Sequence, residues 1–424
     1  MEQTPNSLDA LFAFLLAGLL ALLLTPLTIR LAARLGAIDQ PNERSLHTVP
    51  TPKLGGLAIL VGVLAAGLIW LPADSESHAI LIGAVAIALV GIADDVFDLN
   101  PVVKLLGQAA AVIVPVSAGV TIDNFTVPFF GRLTPGSVDL LTLPWGGVVH
   151  LGDVLTVLGI VAVINVINLI DGVDGLAAGV CVISAVTLAV IALSLDRTAA
   201  GVLAALTAGA SLGFLRHGFP PASTFMGDTG SNLLGYLLGV IAVQGALKTN
   251  AVVALFLPLI ILTVPILDTG FVVAKRLKYR RPIYRADRWH FHHRMADIGF
   301  SQRRTLLYLY GWTMVMAALA LALRFVPYSD DHGRFDPAWT AVIAVFGLLA
   351  LAASVYLVDV LEILQLRQLR RRQLGSVRRR VGAPAPVAQE IDRAVAEELE
   401  TGTFPAVDPE TGEFEAIGRE PPSG

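Results

Sequence analysis

Long apolar stretches, separated by short polar segments, make up most of the chain. Runs of roughly 17–22 mainly apolar residues are long enough to cross a bilayer as helices. The pattern predicts the membrane spans 9–29, 54–72, 79–93, 102–120, 152–169, 176–195, 199–215, 230–247, 251–274, 304–325 and 338–360. The third span is short, so we expect it to begin earlier or to tilt. The pattern therefore predicts an all-α polytopic membrane protein with about eleven transmembrane helices.

Basic residues set the orientation of these spans. The loops after odd-numbered spans and the carboxyl-terminal tail hold every Lys and Arg except Arg132, Arg197, Lys248, Arg324 and Arg334. Because cytoplasmic loops carry the excess of Lys and Arg, we expect the amino terminus outside and the carboxyl terminus in the cytoplasm. In the outer loop 121–150 we expect a small hairpin that pairs Thr126–Phe129 with Leu140–Leu143.

Composition excludes a soluble protein. The 424 residues are 55% hydrophobic and 15% charged, which is more apolar surface than a soluble chain of this length buries. A single cysteine, Cys181, excludes disulfides and cysteine metal sites. We predict a transmembrane domain over residues 1–360, a basic juxtamembrane helix over 361–381 that lies on anionic lipid, and a disordered cytoplasmic tail over 382–424.

A polar stripe interrupts the apolar pattern after the fifth span. Asn165, Asn168, Asp171 and Asp174 recur every third residue, so on a helix they form a slowly winding stripe. Two carboxylates and two amides are costly at the edge of hydrocarbon unless a partner satisfies them. The stripe indicates a site for a polar, metal-bearing ligand. The alternative is a polar turn at the membrane interface.

Acidic motifs follow two other spans. Asp94 and Asp95 lie at the carboxyl end of the third span, where the helix dipole disfavours carboxylates. A divalent cation would offset that cost, and hard oxygen ligands suggest Mg²⁺ or Mn²⁺; the alternative is a solvated acidic loop. Asp228 opens the eighth span between Gly227 and Gly230, so it is either a ligand-binding residue or the helix N-cap.

Histidines and basic residues form the remaining candidates. The loop after the ninth span contains His290-Phe291-His292-His293-Arg294. Arg and His supply charge-assisted hydrogen bonds to phosphate, so this motif favours a diphosphate ligand over a zinc site, for which no fourth ligand is apparent. Lys53 and His47, after the first span, can contribute similarly. All the motifs fall on the predicted cytoplasmic face.

The location of all the polar motifs on one predicted face indicates the class of protein. A transporter would place its polar residues near the midplane, often in repeated halves, whereas here the middles of the spans lack ionisable residues. A lipid-binding scaffold would explain the basic tail but not three acidic motifs beside a histidine loop. An enzyme is the favoured interpretation, and a transporter remains the alternative from another class.

Together the motifs resemble the polyprenyl-phosphate N-acetylhexosamine-1-phosphate transferases. The resemblance covers roughly residues 40–300 and rests on ordered motifs: His47 to Gly56, DDVFD with Lys104 and Gln108, NVINLIDGVDGL, FMGDTGSNLLG, PILDT and HFHHRM. It implies Mg²⁺-dependent transfer of a sugar-1-phosphate from a UDP-N-acetylhexosamine to a polyprenyl phosphate, with release of UMP. It implies a multi-pass protein of the bacterial plasma membrane with a cytoplasmic active site. We expect no nucleic-acid partner, and leave a homodimer open.

The resemblance also implies roles for individual residues. The implied catalytic residues are Asp94, Asp95, Asp171 and Asp174. The implied metal-binding residues are Asp228, Asp95 and Asn168. The implied substrate-binding residues are Lys53, His47, Lys104, Asn168, Phe225, His290, His292, His293 and Arg294. The HFHHRM motif is similar to that of the UDP-GlcNAc branch, whereas the pentapeptide branch has three consecutive histidines followed by an acidic residue. We therefore favour the GlcNAc branch, with phospho-N-acetylmuramoyl-pentapeptide transfer as the alternative.

Overall fold

Helices dominate the computed structural model, which describes residues 6–41, 49–127, 131–142, 144, 147–247, 256–278, 291, 294–295, 298–327, 336–356 and 360. The helices are α1 (Ser7–Leu35), α2 (Gly56–Trp70), α3 (Ser75–Phe97), α4 (Pro101–Ser117), α5 (Leu151–Ile170), α6 (Leu176–Ser194), α7 (Thr198–Gly218), α8 (Gly227–Ile241), α9 (Phe256–Ile261), α10 (Thr263–Lys278), α11 (Gln302–Phe325) and α12 (Pro337–Tyr356). A π-helical turn, Ala242–Leu247, extends α8. The prediction of an all-α polytopic membrane protein is confirmed.

Length and composition mark out the helices that can cross a membrane. Within the described residues, seven are long and apolar enough: α1, α3, α5, α6, α7, α11 and α12. Shorter apolar helices correspond to α2, α4 and the first part of α10. The eleven spans and the positions of the termini stay predictions. The third span does begin earlier than its apolar run, since the Asp74 carboxylate accepts a 2.7 Å hydrogen bond from the Ser77 amide and starts α3 at Ser75.

α1 illustrates how the bundle is divided between packing and lipid-facing surfaces. Its alanines are buried, whereas its leucines lie exposed along the opposite side. The buried side packs against α7, where a Cβ on Gly209 or Gly213 would overlap the backbone of α1. Small residues at such a contact allow helices to approach closely inside a membrane. Exposed leucines suit a surface that contacts lipid, because apolar side chains are stable in hydrocarbon.

Strands are confined to short antiparallel pairs. β1 (Ile38–Asp39) pairs with β2 (Thr51–Pro52), β3 (Phe125–Val127) with β4 (Gly131–Leu133), and β5 (Asp139–Thr142) with β6 (Val148–His150). The expected pairing of Thr126–Phe129 with Leu140–Leu143 is therefore wrong. Each segment instead pairs with its nearest neighbour along the chain, which closes a shorter loop at a lower entropy cost.

The chain divides into two compact units. The first comprises Met1–Thr269 and Leu306–Gly347, and the second comprises Gly270–Thr305 and Leu348–Gly424. The acidic motifs all belong to the first unit, whereas Arg294 belongs to the second. The predicted juxtamembrane helix (361–381) and tail (382–424) lie outside the described residues and stay predictions.

Candidate active site

Four helix ends meet at one end of the first unit. α3 and α5 both pack against α8, and α4 packs against α3 and α5. The carboxyl ends of α3 and α5 thereby lie beside the amino ends of α4 and α8. Glycines bring the backbones together: a Cβ on Gly91 of α3 would overlap the backbone of Thr229, and one on Gly56 of α2 would overlap Gly230. This close approach places the polar ends of all four helices in one cluster.

Charged and amide side chains from these ends form a single network, which we call the charged layer: Asp94, Lys104, Asn168 and Asp228. The Lys104 ammonium lies 2.7 Å from Asp94 Oδ2 and 3.1 Å from Asp228 Oδ2. It also donates to Asn168 Oδ1 at 3.3 Å. Asn168 Nδ2 donates in turn to Asp228 Oδ1. A cation between two carboxylates reduces the repulsion that they would otherwise exert on each other.

A second network lies about one helical turn along the same helices, and we call it the amide layer: Gln108, Asn165 and Asn232. Asn165 Nδ2 donates to Gln108 Oε1 at 2.7 Å, and Gln108 Nε2 donates to Asn232 Oδ1 at 3.4 Å. Gln108 and Asn232 are both 0% exposed. Asn232 Nδ2 has no hydrogen-bond partner among the described residues. The amide layer is thus neutral, and two of its three residues are fully buried, in contrast to the charged layer.

Asp95 is adjacent to Asp94 in sequence but has different partners. Its carboxylate accepts hydrogen bonds from the amides of Asp228 and Thr229, both at 3.0 Å, and from Thr229 Oγ1 at 2.7 Å. The N-cap position of α8 is Met226, which makes no side-chain capping bond, and Asp228 lies in the first turn. Asp228 is therefore not the N-cap, and that alternative is excluded.

The loop between α5 and α6 contains two more carboxyl groups, those of Asp171 and Asp174. Burial raises the pKa of Asp171 well above its ordinary value, and the charges of Asp228, Asp95 and Asp174 raise it further. Asp174 Oδ2 accepts a 3.0 Å hydrogen bond from the Ala222 amide, which fastens this loop to the segment before α8. Asp171 thus shares the electrostatic field of the charged layer, while Asp174 holds the neighbouring loop in place.

Backbone hydrogen bonds join the Lys53 segment to the start of α8. The Phe225 amide donates to the Pro52 carbonyl at 2.8 Å, and the Gly55 amide donates to the Phe225 carbonyl at 3.0 Å. A Cβ on Gly227 would overlap the Lys53 carbonyl oxygen, and the Lys53 ammonium acts electrostatically on Asp95. The predicted substrate-binding residues Lys53 and Phe225 therefore border the charged layer.

The predicted histidines and Arg294 are the remaining candidates for substrate binding. His47, His290, His292 and His293 lie outside the described residues, so their roles stay predictions. Arg294 belongs to the second unit, where its guanidinium lies 4.6 Å from the centroid of the Phe271 ring and 5.8 Å from that of Phe291. Its predicted role in substrate binding is likewise still a prediction.

Three residues outside the predicted set of site residues help to hold the site together. Thr229 donates to Asp95, and Ser231 Oγ accepts a 2.9 Å hydrogen bond from Asn168 Nδ2. Both belong to the FMGDTGSNLLG motif, so the motif itself was the available signal. Tyr310 of α11 donates a 2.5 Å hydrogen bond to the carbonyl of Gly175, the residue that precedes α6. Nothing local to Tyr310 in the sequence marks that contact.

The donor set of the cluster fits a divalent cation. Carboxylate and amide oxygens are the ligands that Mg²⁺ and Mn²⁺ prefer, and the Asp228 side chain is 30% exposed and so accessible. Among the described residues no three His, Cys, Asp or Glu side chains form a complete metal site. Mg²⁺ commonly takes only one or two carboxylates and completes its shell with water and substrate phosphates. Burial raises the pKa of Asp171, and the negative charges of Asp228, Asp95 and Asp174 raise it further, which is the setting that a bound cation would relieve.

Comparison with known proteins identifies the family. The family model described as glycosyl transferase family 4 matches residues 77–246, which span α3 to α8. A Bacillus subtilis protein named "Probable undecaprenyl-phosphate N-acetylglucosaminyl 1-phosphate transferase" is 40% identical over 73% of this chain and 84% of its own length. The "Decaprenyl-phosphate N-acetylglucosaminephosphotransferase" of Mycolicibacterium smegmatis is 34% identical over 74% of this chain and 79% of its own length. A "Phospho-N-acetylmuramoyl-pentapeptide-transferase" of Desulforudis audaxviator is 34% identical over 75% of this chain and 98% of its own length. The chain therefore belongs to glycosyl transferase family 4, the family that its motifs resemble.

Proposed function

We propose that this protein transfers GlcNAc-1-phosphate from UDP-GlcNAc to a polyprenyl phosphate and releases UMP. The names of its relatives support the reaction class and the lipid acceptor. The observation that carries the proposal is the charged layer, where Lys104 lies between Asp94 and Asp228 at the meeting point of four helix ends. Such a cluster suits two phosphate-bearing reactants, because it offers the Lys104 ammonium as one cation and oxygen ligands that can bind a metal ion as a second cation.

The reaction requires that two anions approach each other. An oxygen of the lipid phosphate forms a bond to the phosphorus that carries the sugar, and the bond from that phosphorus to UMP breaks. When bound, Mg²⁺ would neutralise the charge that moves onto the leaving phosphate. Asp228, which is 30% exposed, and the side-chain oxygen of Asn168 are the groups that would hold it.

The other residues of the cluster orient and balance these groups. Lys104 keeps Asp94 and Asp228 at fixed positions and offers positive charge to an incoming phosphate. Asp94 Oδ1 accepts a 2.8 Å hydrogen bond from the Leu99 amide, so only Oδ2 faces the cluster. The lipid phosphate is already ionised at neutral pH, so it needs no strong base. A proton-accepting role for Asp94 is therefore dispensable, and its charge is the property that counts.

Two arguments favour UDP-GlcNAc over a UDP-MurNAc-pentapeptide as the donor. The HFHHRM motif lacks the three consecutive histidines of the pentapeptide branch. The identity to the Bacillus subtilis relative is 40%, against 34% for the relative named as a pentapeptide transferase. Both arguments concern the donor alone and leave the lipid acceptor and the mechanism unchanged.

A substrate panel tests the proposal directly. Purified protein with polyprenyl phosphate and Mg²⁺ should release UMP from UDP-GlcNAc, and not from UDP-GalNAc or UDP-MurNAc-pentapeptide offered separately. Asp228→Asn is the matched control for contaminating activities. Release of UMP from the pentapeptide donor alone would move the protein to the other branch, and release from none of the three would refute the reaction.

We also propose that the site faces the cytoplasm in a bacterial plasma membrane. In a Cys181→Ala background, the exposed positions Asn100 and Ser223 lie close to the cluster and Ser137 lies in the loop between α4 and α5. Asn100→Cys and Ser223→Cys should react only with thiol reagents that enter the cell, and Ser137→Cys should react from outside. Labelling of the two site positions from outside would contradict the cytoplasmic assignment.

A further inference from the structure

Asp95 has been grouped with Asp94 as a catalytic or metal-binding residue, but its contacts indicate another role. We propose that the Asp95 side chain, supplied from α3, caps the amino terminus of α8, where the N-cap residue Met226 makes no capping bond, and that Asp95 is a positioning residue for Asp228. This inference rests on the proposed function for its consequence in catalysis. Its geometric basis is independent of which sugar or lipid the enzyme uses.

The partners of Asp95 account for both of its oxygens. Oδ1 accepts from the Asp228 amide, and Oδ2 accepts from the amide and the hydroxyl of Thr229. The side chain is 7% exposed. Asp94 differs, because one of its oxygens faces Lys104 in the charged layer. Neighbouring residues on a helix point about 100° apart, so α3 directs one carboxylate into the cluster and the other onto α8.

α8 requires a cap from outside its own sequence. The first amides of a helix have no partner within it, and Met226 at the N-cap position supplies no side-chain acceptor. Gly227 adopts a φ of 68°, in the left-handed region that favours glycine. A Cβ on Gly227 would lie 2.5 Å from Asp95 Oδ2, so the carboxylate fills the space that any larger residue would need. Gly227 therefore leaves the space in which the Asp95 carboxylate caps the helix.

Holding the Asp228 backbone has a direct consequence for the charged layer. The Asp228 amide is itself bonded to Asp95, so Asp95 fixes where the Asp228 side chain begins. A carboxylate at a helix amino terminus also interacts favourably with the helix dipole. Removing Asp95 should therefore release the first turn of α8 and misplace Asp228, without removing a ligand from the metal.

Stability and metal affinity, measured without turnover, test the proposal. The variants are Asp95→Asn, Asp95→Ala, Thr229→Val and the double variant Asp95→Asn/Thr229→Val, with Asp228→Asn as the contrast. Tm is measured in metal-free detergent solution, and Mn²⁺ affinity by electron paramagnetic resonance with Mn²⁺ as the only added ligand. Asp95→Asn keeps one acceptor oxygen and the volume of the side chain, so the test survives if Asp95→Ala does not fold.

Capping and ligation predict opposite outcomes. If Asp95 is a cap, Asp95→Asn lowers Tm by at least about 2 °C and weakens Mn²⁺ binding by no more than about a hundredfold, through the displaced Asp228. The Tm losses of Asp95→Asn and Thr229→Val should then not add in the double variant, because the two share one hydrogen bond. Asp228→Asn should show the reverse pattern, with weaker Mn²⁺ binding and an unchanged or higher Tm. A loss of Mn²⁺ affinity beyond about a hundredfold in Asp95→Asn, or fully additive Tm losses, would overturn the proposal. Neither result depends on whether UDP-GlcNAc is the donor.

Discussion

The charged layer and the amide layer share three helices, α4, α5 and α8, on which they lie about one turn apart, and the charged layer also includes Asp94 of α3. On α4 the pair is Lys104 and Gln108, on α5 it is Asn168 and Asn165, and on α8 it is Asp228 and Asn232. The Asp94, Lys104 and Asp228 side chains of the charged layer are 8%, 15% and 30% exposed, whereas Gln108 and Asn232 in the amide layer are 0% exposed. The charged layer is therefore open to ligands and solvent at Asp228. Neutral amides occupy the buried turn.

The difference follows from the cost of burial. An unpaired charge in an apolar interior costs far more than an amide that finds a hydrogen-bond partner. Buried polar groups can instead fix the register between helices, as buried asparagines do in coiled coils. By aligning α4, α5 and α8, the amide layer keeps Lys104 between the two carboxylates. On the proposed function, the charged layer carries out the chemistry and the amide layer aligns the helices.

The largest expected effect comes from the charged layer. Asp228→Asn keeps the volume of the side chain but removes the charge that would hold the metal, so kcat/KM should fall more than about a thousandfold, or about 4 kcal/mol, even at saturating Mg²⁺. The matched control is Ser231→Ala, which removes a hydrogen-bond acceptor of Asn168 and a 3.1 Å hydrogen bond to the Gly227 carbonyl, but no charge. It should lose less than about tenfold. Near-normal turnover by folded Asp228→Asn would make the charged layer structural.

The amide layer should show the opposite balance, with a loss of stability that exceeds the loss of activity. Gln108→Leu leaves the amide of Asn232 buried without its partner, which should cost about 1–3 kcal/mol of unfolding free energy. At temperatures where the variant is folded, kcat/KM should fall by no more than about tenfold. The measurements are thermal unfolding in detergent and steady-state UMP release.

A second substitution serves as the control for that experiment. Gln108→Leu/Asn232→Leu removes both hydrogen-bonding partners, while Asn165 Nδ2 keeps its 2.8 Å bond to the Val161 carbonyl. Replacing both partners of a buried hydrogen bond is less costly than stranding one. The double variant should therefore be more stable than the two single losses would predict. Simple additivity would show that the amide layer is not a coupled unit.

The smallest effect concerns the excess negative charge beside the charged layer. The pKa of Asp171 lies well above its ordinary value of 3.8, so ionising it opposes folding. A raised carboxyl pKa lowers stability progressively as the pH rises above 3.8 toward the folded pKa. Asp171→Asn should therefore raise the Tm of the metal-free protein at neutral pH, and the gain should vanish at low pH. A lower Tm of Asp171→Asn at neutral pH would mean that other groups in the folded protein stabilise the ionised carboxylate.

The membrane helices could be predicted because their signal is local. Each apolar run coincides with a described helix or helix pair, and Asp74 explains why α3 starts before its run does. The ninth span contains two helices, α9 and α10, with a break that its continuous apolar run did not indicate. The hairpin pairing was wrong because several short strands of similar composition compete, and only turn geometry selects among them.

The sequence motifs predicted which residues lie in the site, but they did not predict the contacts that distinguish one residue from another. Asp94, Lys104, Asn168 and Asp228 were all proposed from the sequence, and they meet. The different contacts of Asp94 and Asp95 could not be derived, because they depend on which way α3 faces α8. The Tyr310 contact with Gly175 joins residues far apart in sequence, and a single sequence carries no record of such pairs.

Reversal of the reaction tests the central claim most directly. One phosphoanhydride is broken and another is made, so the equilibrium constant should lie within about two orders of magnitude of unity, or about 3 kcal/mol. Purified protein with Mg²⁺, polyprenyl-diphosphate-GlcNAc and labelled UMP should therefore produce labelled UDP-GlcNAc, and EDTA should stop the exchange. Asp228→Asn should not catalyse it. Failure of label to pass from UMP into UDP-GlcNAc, with folded protein and accessible lipid, would contradict the account.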